Sequence, residues 1–213
     1  MNPRTQHTHI AGPVGQLQIQ IDEADAGVPF KGTAITAHPN PVQGGTMDNK
    51  VVQTLAKAFV AMGWRSIRFN YRGVGSSAGE FANGIGETDD LLAVIAEYAP
   101  SGSICLAGFS FGTFTVTHAL QALAAGGRNL DADVQRIALI GSAAGKFALA
   151  PIASELQNKT FVLHAEADEV VTLSAVMDWA RPQSLPVTVV PAGSHFFHGQ
   201  LPLLKNLVLR HLA

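Results

Sequence analysis

Short, dense apolar runs alternate along this chain with longer stretches in which apolar residues return every three or four positions. The first kind fits strands covered on both faces, and the second fits amphipathic helices. The dense runs are Thr33 to Ala37, Ser66 to Phe69, Ser103 to Ala107, Ile137 to Ile140, Phe161 to His164 and Val187 to Val190. Ahead of them, Leu17-Gln18-Ile19-Gln20-Ile21 alternates with period two, as an antiparallel strand with one exposed face does. A helix is predicted over Met47 to Met62, with Val51, Leu55, Ala58, Phe59 and Met62 at helical spacing, Thr46 as its cap and Gly63 as its stop. Others are predicted over Gly86 to Tyr98, ending before Pro100, over Thr113 to Ala125, ending at Gly126-Gly127, and over Thr172 to Ala180 and Leu201 to Leu212. Two strands followed by repeated strand-helix units predict an α/β chain whose mostly parallel central sheet begins antiparallel and carries helices on both faces. Ser142 to Lys159 is the only stretch where a lid could be inserted, and it is too short for a sizeable one.

Composition narrows the class. The 213 residues are 47% hydrophobic and 14% charged, which suits one substantial core, so a single domain over residues 1–213 is expected. The net charge is −2 and Lys and Arg are scattered, leaving no footprint for a phosphate backbone; nucleic acid is not an expected partner. Met1 to His7 lacks the apolar core of a signal peptide, and no run approaches the roughly 18 apolar residues that span a bilayer. A soluble cytoplasmic protein without a membrane partner is the expectation. Cys105, alone and inside a predicted strand, reads as a buried, inert thiol. His7 and His9 suggest a metal pair only by spacing, with no acidic or cysteine cluster beside them, and no metal site is expected.

The candidate chemistry centres on Gly108-Phe109-Ser110-Phe111-Gly112, between an apolar strand and a helical run. Chance places such a pattern in about one chain in ten of this composition, so the strand-turn-helix setting carries the weight. A serine on that turn can attack a carbonyl, and flanking glycines let strand and helix close around it. Serine needs a base within hydrogen-bond reach and an acid to orient the base. Asp168 lies just beyond one predicted strand and His195 just beyond another. Glu166, Glu169 and Asp178 compete as the acid, and His198 competes as the base.

Ser110, Asp168 and His195, in that order and with their flanks, resemble the α/β-hydrolase superfamily. More narrowly, His38-Pro39-Asn40-Pro41-Val42-Gln43-Gly44-Gly45, Arg68-Phe69-Asn70-Tyr71-Arg72-Gly73-Val74-Gly75, Gly108 to Gly112 and His195-Phe196-Phe197-His198-Gly199 resemble blocks of its small lidless bacterial branch. The branch usually has a second histidine where Asn40 stands. The resemblance implies the α/β-hydrolase fold with no large lid, and a serine hydrolase that cleaves an ester or thioester through an acyl-enzyme on Ser110. It also implies that His195 serves as base and Asp168 as orienting acid. The oxyanion donors expected are the N–H of Phe111 and that of Asn40, because its neighbours Pro39 and Pro41 have no amide hydrogen. Substrate-binding residues expected around them are His38, Phe109, Phe196 and Phe197. No cofactor is needed, and the expected partner is a small-molecule acyl ester or thioester, with homo-oligomerisation left open. Arg72-Gly73-Val74-Gly75-Ser76 lacks the lysine of a phosphate loop and the third glycine of a dinucleotide fingerprint, so Arg72 is expected to anchor a loop beside the nucleophile helix. A non-catalytic binding module and a serine peptidase on the same fold are the competing readings.

Overall fold

The chain opens on a hairpin of β1 (Gln6–Gly12) and β2 (Gly15–Asp22) in the computed structural model, which describes residues 5–212. It continues through β3 (Gly32–Ala37), α1 (Lys50–Ala61), β4 (Trp64–Phe69), α2 (Ile85–Tyr98), β5 (Ile104–Phe109) and α3 (Phe111–Ala125). A single turn α4 (Leu130–Asp133), β6 (Val134–Ile140), β7 (Thr160–Ala165), α5 (Leu173–Ala180), β8 (Val187–Val190) and α6 (Leu201–Leu212) complete it. The strands form one sheet in the order β1-β2-β4-β3-β5-β6-β7-β8. Pairing is antiparallel from β1 to β2 and from β2 to β4, and parallel through the rest. Met1 to Arg4, part of the terminus read for a signal peptide, and Ala213 lie outside the described residues.

Strand parity decides which core each apolar residue joins. In β5, Ile104 and Leu106 pack with Leu91 and Val94 of α2 and Val116 and Leu120 of α3. Cys105, Ala107 and Phe109, on the other side of the same strand, pack with Leu55 and Phe59 of α1 and Leu204 and Val208 of α6. Two covered faces explain why the central strands read as unbroken apolar runs. The stretch Ser142 to Lys159 holds only a bridge between Ala144 and Phe147 and a short 3-10 turn, Ser154–Lys159, so no lid covers the sheet.

Some details depart from the sequence reading. β1 escaped it because residues 6–9 are exposed on this edge strand, leaving no hydrophobic alternation to read. His9, of the pair considered for a metal, bonds instead to the Ser76 hydroxyl at 2.7 Å. α1 starts at Lys50 rather than Met47, since Asn49 Oδ1 accepts from the Val51 amide at 2.9 Å and caps it. Thr46 serves the preceding turn, its hydroxyl accepting from the Asp48 amide. Arg72 anchors its loop to α2, the neighbour of α3, by a fork on Asp90 with contacts of 2.8 and 3.0 Å and by its own amide at 2.9 Å.

The Arg72 and Asp90 side chains are 8% and 0% exposed, so removing the cation strands a buried carboxylate. Arg72→Met is expected to lower unfolding stability in urea by about 3–5 kcal/mol. Arg181→Met, at the exposed pair with Asp178, is expected to change it by less than about 0.5 kcal/mol. Equal effects would contradict the anchoring role.

Candidate active site

β3 and β5 are parallel neighbours with Ala37 opposite Gly108, and the strand order reverses direction around them. Loops leaving their carboxyl ends therefore share the crevice in which open α/β sheets bind ligands. Directly after β5 the chain turns through Ser110 at φ 54° and ψ −120°, a conformation that costs a side-chain-bearing residue about 1–3 kcal/mol. The Ser110 amide donates to the Ile140 carbonyl at 2.9 Å, and its carbonyl accepts from the Thr113 amide at 2.9 Å and hydroxyl at 2.7 Å. A Cβ on Gly112 would run into the Ala37 carbonyl, and one on Gly108 into the Gly112 carbonyl.

The loops after β7 and β8 bring two further side chains to this turn. His195 Nε2 lies 3.0 Å from Ser110 Oγ, and its Nδ1 lies 2.7 Å from Asp168 Oδ2. With the proton on Nδ1, the ring donates to the carboxylate and accepts from the serine hydroxyl. The other oxygen, Asp168 Oδ1, accepts from the amides of Val170 at 2.8 Å and Val171 at 2.7 Å. Burial pushes the Asp168 carboxyl up, but the bonds from His195 and from these two amides outweigh it and hold the group below its ordinary value. Gly141 faces the imidazole, where a Cβ would lie 3.4 Å from His195 Cε1.

The rivals for these roles are occupied elsewhere. Glu169 accepts the His195 main-chain amide at 3.1 Å and Glu166 that of Ala192 at 2.9 Å, so both tie the loops after β7 and β8 together. Asp178 pairs with Arg181, and His198 Nδ1 lies 3.5 Å from Ser194 Oγ. Cys105 is fully buried, which pushes its thiol up to about 12.

Of the four expected substrate contacts, only Phe196 lines the crevice beside Ser110 and His195, at 38% exposure. The other three are corrected. His38 is fully buried between its own loop and the next: Nδ1 donates to the Pro39 carbonyl at 2.7 Å and Nε2 accepts from the Tyr71 amide at 3.2 Å. Burial, opposed by the Pro39 bond, brings its pKa down to about 3. Phe109 points into the core and backs the imidazole, with ring centroids 5.0 Å apart. Phe197 turns inward at φ 52° and is fully buried with the α1 and α6 core.

Asn40 and Phe111 both border the groove that contains Ser110. The Asn40 carbonyl accepts from Gln43 and Gly45, and its Oδ1 from Val42, so what Asn40 has left to offer is a donor. Phe111 is the first residue of α3, where a main-chain N–H has no intrahelical acceptor. His164 was missed by the sequence reading because it looks like any apolar strand end. Fully buried, it donates Nε2–H to the Val171 carbonyl at 2.9 Å and lies 3.4 Å from Asp168 Oδ2. Its Nδ1 has no partner among the described residues, and burial lowers its pKa below the ordinary histidine value.

An α/β serine hydrolase without a lid from Xanthomonas campestris superposes with a TM-score of 0.83 at 35% identity, covering 99% of this chain and 94% of its own. The chain belongs to the lidless α/β serine hydrolases. An α/β serine hydrolase homologue from Coxiella burnetii matches this hydrolase at 35% identity with a TM-score of 0.79, covering 98% of the chain and 97% of its own. An uncharacterized protein of Rickettsia prowazekii is 37% identical over 107 residues, 48% of the hydrolase and 44% of that protein, so the match reaches less than half of the relative's length. No protein-family model matches the sequence. Among the described residues, no helix of the hydrolase is long and apolar enough to cross a membrane.

The bonds to Asp168 give the hydrolase an acid-sensitive contribution to stability. A carboxyl held below its unfolded value of 3.8 stabilises the fold fully above that pH, and the contribution is lost as pH falls through the lower folded value. Asp168→Asn is therefore expected to lose less stability than the wild type between about pH 5 and pH 2 in thermal unfolding. Parallel curves would contradict this account.

Proposed function

We propose that this hydrolase cleaves a carboxylic ester or thioester through an acyl-enzyme on Ser110. The observation that carries the reading is the continuous hydrogen-bonded chain from Ser110 Oγ through His195 to Asp168, with its serine end at the crevice. Ser110 Oγ attacks the acyl carbon while His195 Nε2 takes its proton, and Asp168 holds the ring's tautomer and favours the imidazolium. The carbonyl electron pair moves to the oxygen, which receives hydrogen bonds from the N–H groups of Phe111 and Asn40. The positive end of α3 adds to their effect. Collapse re-forms the carbonyl and expels the alkoxide or thiolate, to which His195 returns the proton. Water, deprotonated by the same imidazole, then attacks the acyl-enzyme, and the acid leaves with Ser110 restored.

A fluorophosphonate probe, which phosphonylates an activated serine, is expected to label the wild type and to leave Ser110→Ala unlabelled. Labelling of the variant at the wild-type level would sink the assignment. For hydrolysis of ethyl butanoate, Asp168→Asn is expected to lower kcat roughly 10⁴-fold, because the amide favours the wrong imidazole tautomer. A loss below tenfold would remove Asp168 from the reaction.

A further inference from the structure

The crevice at Ser110 has two lobes that meet along Asn40, Gln43 and Ser110, and the two are built differently. The smaller, about 60 Å³, is lined by His195 and Phe196 and faced by Gly45 and Asn49. The larger, about 440 Å³, has an apolar wall of Phe111, Ala143 and Phe147, with Lys146 and Glu169 also bordering it, and does not touch His195. Proton delivery distinguishes them. The leaving oxygen must receive its proton from His195 Nε2, so it departs on the imidazole side, while the acyl carbon's other substituent lies across the oxyanion from it.

Phe147 has a second neighbour that gives it a role of its own. It also lines a groove of about 370 Å³ with Leu149, Ala175 and Trp179, which Ser110 does not border. Its half-buried ring stands edge-on to Phe111 at 5.0 Å and tilted against Phe114 at 5.5 Å. The Phe147 amide donates to the Ala143 carbonyl at 3.0 Å, so a closed turn holds the ring between the two spaces.

We propose that the small lobe takes the leaving alcohol, that the large lobe takes the acyl chain, and that Phe147 is the wall that sets the longest acyl chain accepted. This rests on Ser110 being the nucleophile. The substrate class is then an ester of a short to medium carboxylic acid with a small alcohol. A bulky alcohol has no room beside Phe196, and a long acyl chain meets the Phe147 ring before it reaches the second groove.

The test measures proton release from ethyl esters of butanoic, hexanoic, octanoic and decanoic acids, and from ethyl and benzyl butanoate, alongside fluorophosphonate labelling. The wild type is expected to prefer the shorter acids and the ethyl ester. Phe147→Ala joins the two grooves and is expected to raise the decanoate to butanoate ratio of kcat/KM at least about tenfold. Phe147→Trp is expected to move the ratio the other way, and Phe147→Leu gives the direction of the alanine variant if that protein fails to fold. A wild type that labels and hydrolyses esters, but whose acyl profile is shared by all three variants, overturns the role of Phe147. Benzyl butanoate cleaved as fast as the ethyl ester overturns the placement of the alcohol. A folded wild type that neither labels nor cleaves overturns the reading of Ser110, and this inference with it.

Discussion

Where α3 begins, Gly112 comes so close to the carbonyl of Ala37 that no side chain fits between them, and its own carbonyl leaves no room for a Cβ on Gly108. The approach draws the first turn of the helix against the end of β3, so the loop carrying Asn40 and the turn carrying Ser110 become walls of one crevice. It also holds Ser110 at a positive φ, which its main-chain bonds to Ile140 and Thr113 sustain. The strain is local and its cost is met by packing elsewhere, because β5 is buried on both faces. A side chain in an ordinary helix or strand packs among neighbours on that element, whereas the turn sets Ser110 at the carboxyl edge of the sheet.

The imidazole and its carboxylate depend on a second piece of construction, the stitching of the loops after β7 and β8. Glu166 and Glu169 each accept a main-chain amide from the loop that carries His195. Asp168 is fixed from its own side by the amides of Val170 and Val171, and His164 holds the Val171 carbonyl from below. Phe109 supports the ring and Gly141 leaves space for it. Both oxygens of Asp168 therefore accept hydrogen bonds that favour its ionised form, and one of them reaches the His195 ring.

Around this rigid centre the crevice is shaped by loop residues and first-turn residues rather than by the strands. Gly45, Asn49 and Phe196 bound one side and Ala143 and Phe147 the other. Loops tolerate change that a doubly covered sheet does not, so substrate preference can shift without disturbing the turn at Ser110.

Periodicity along the chain was enough to place the central strands and the major helices, because burial on two faces of a strand or one face of a helix is written locally. The glycine-flanked serine, and an aspartate and a histidine each just beyond a strand, were legible for the same reason: they sit at element boundaries. β1 was not, since residues 6–9 bury neither face and leave no alternation. Nor could the sequence rank Asp168 over Glu166 and Glu169 by chemistry alone, for all three are carboxylates within four residues, and only the folded loops bring Asp168 to the His195 ring while turning the other two to main-chain amides of the loop after β8. Phe196 and Phe197 make the same point most sharply. They are adjacent and chemically identical, yet one faces the crevice and the other fills the core, because a backbone turn at φ 52° decides which ring can be buried. The elements and the kinds of group at their ends follow from local pattern; which of those groups meet, and which disappear into the core, follows from packing, since direction in space is set by contacts between segments far apart in the chain.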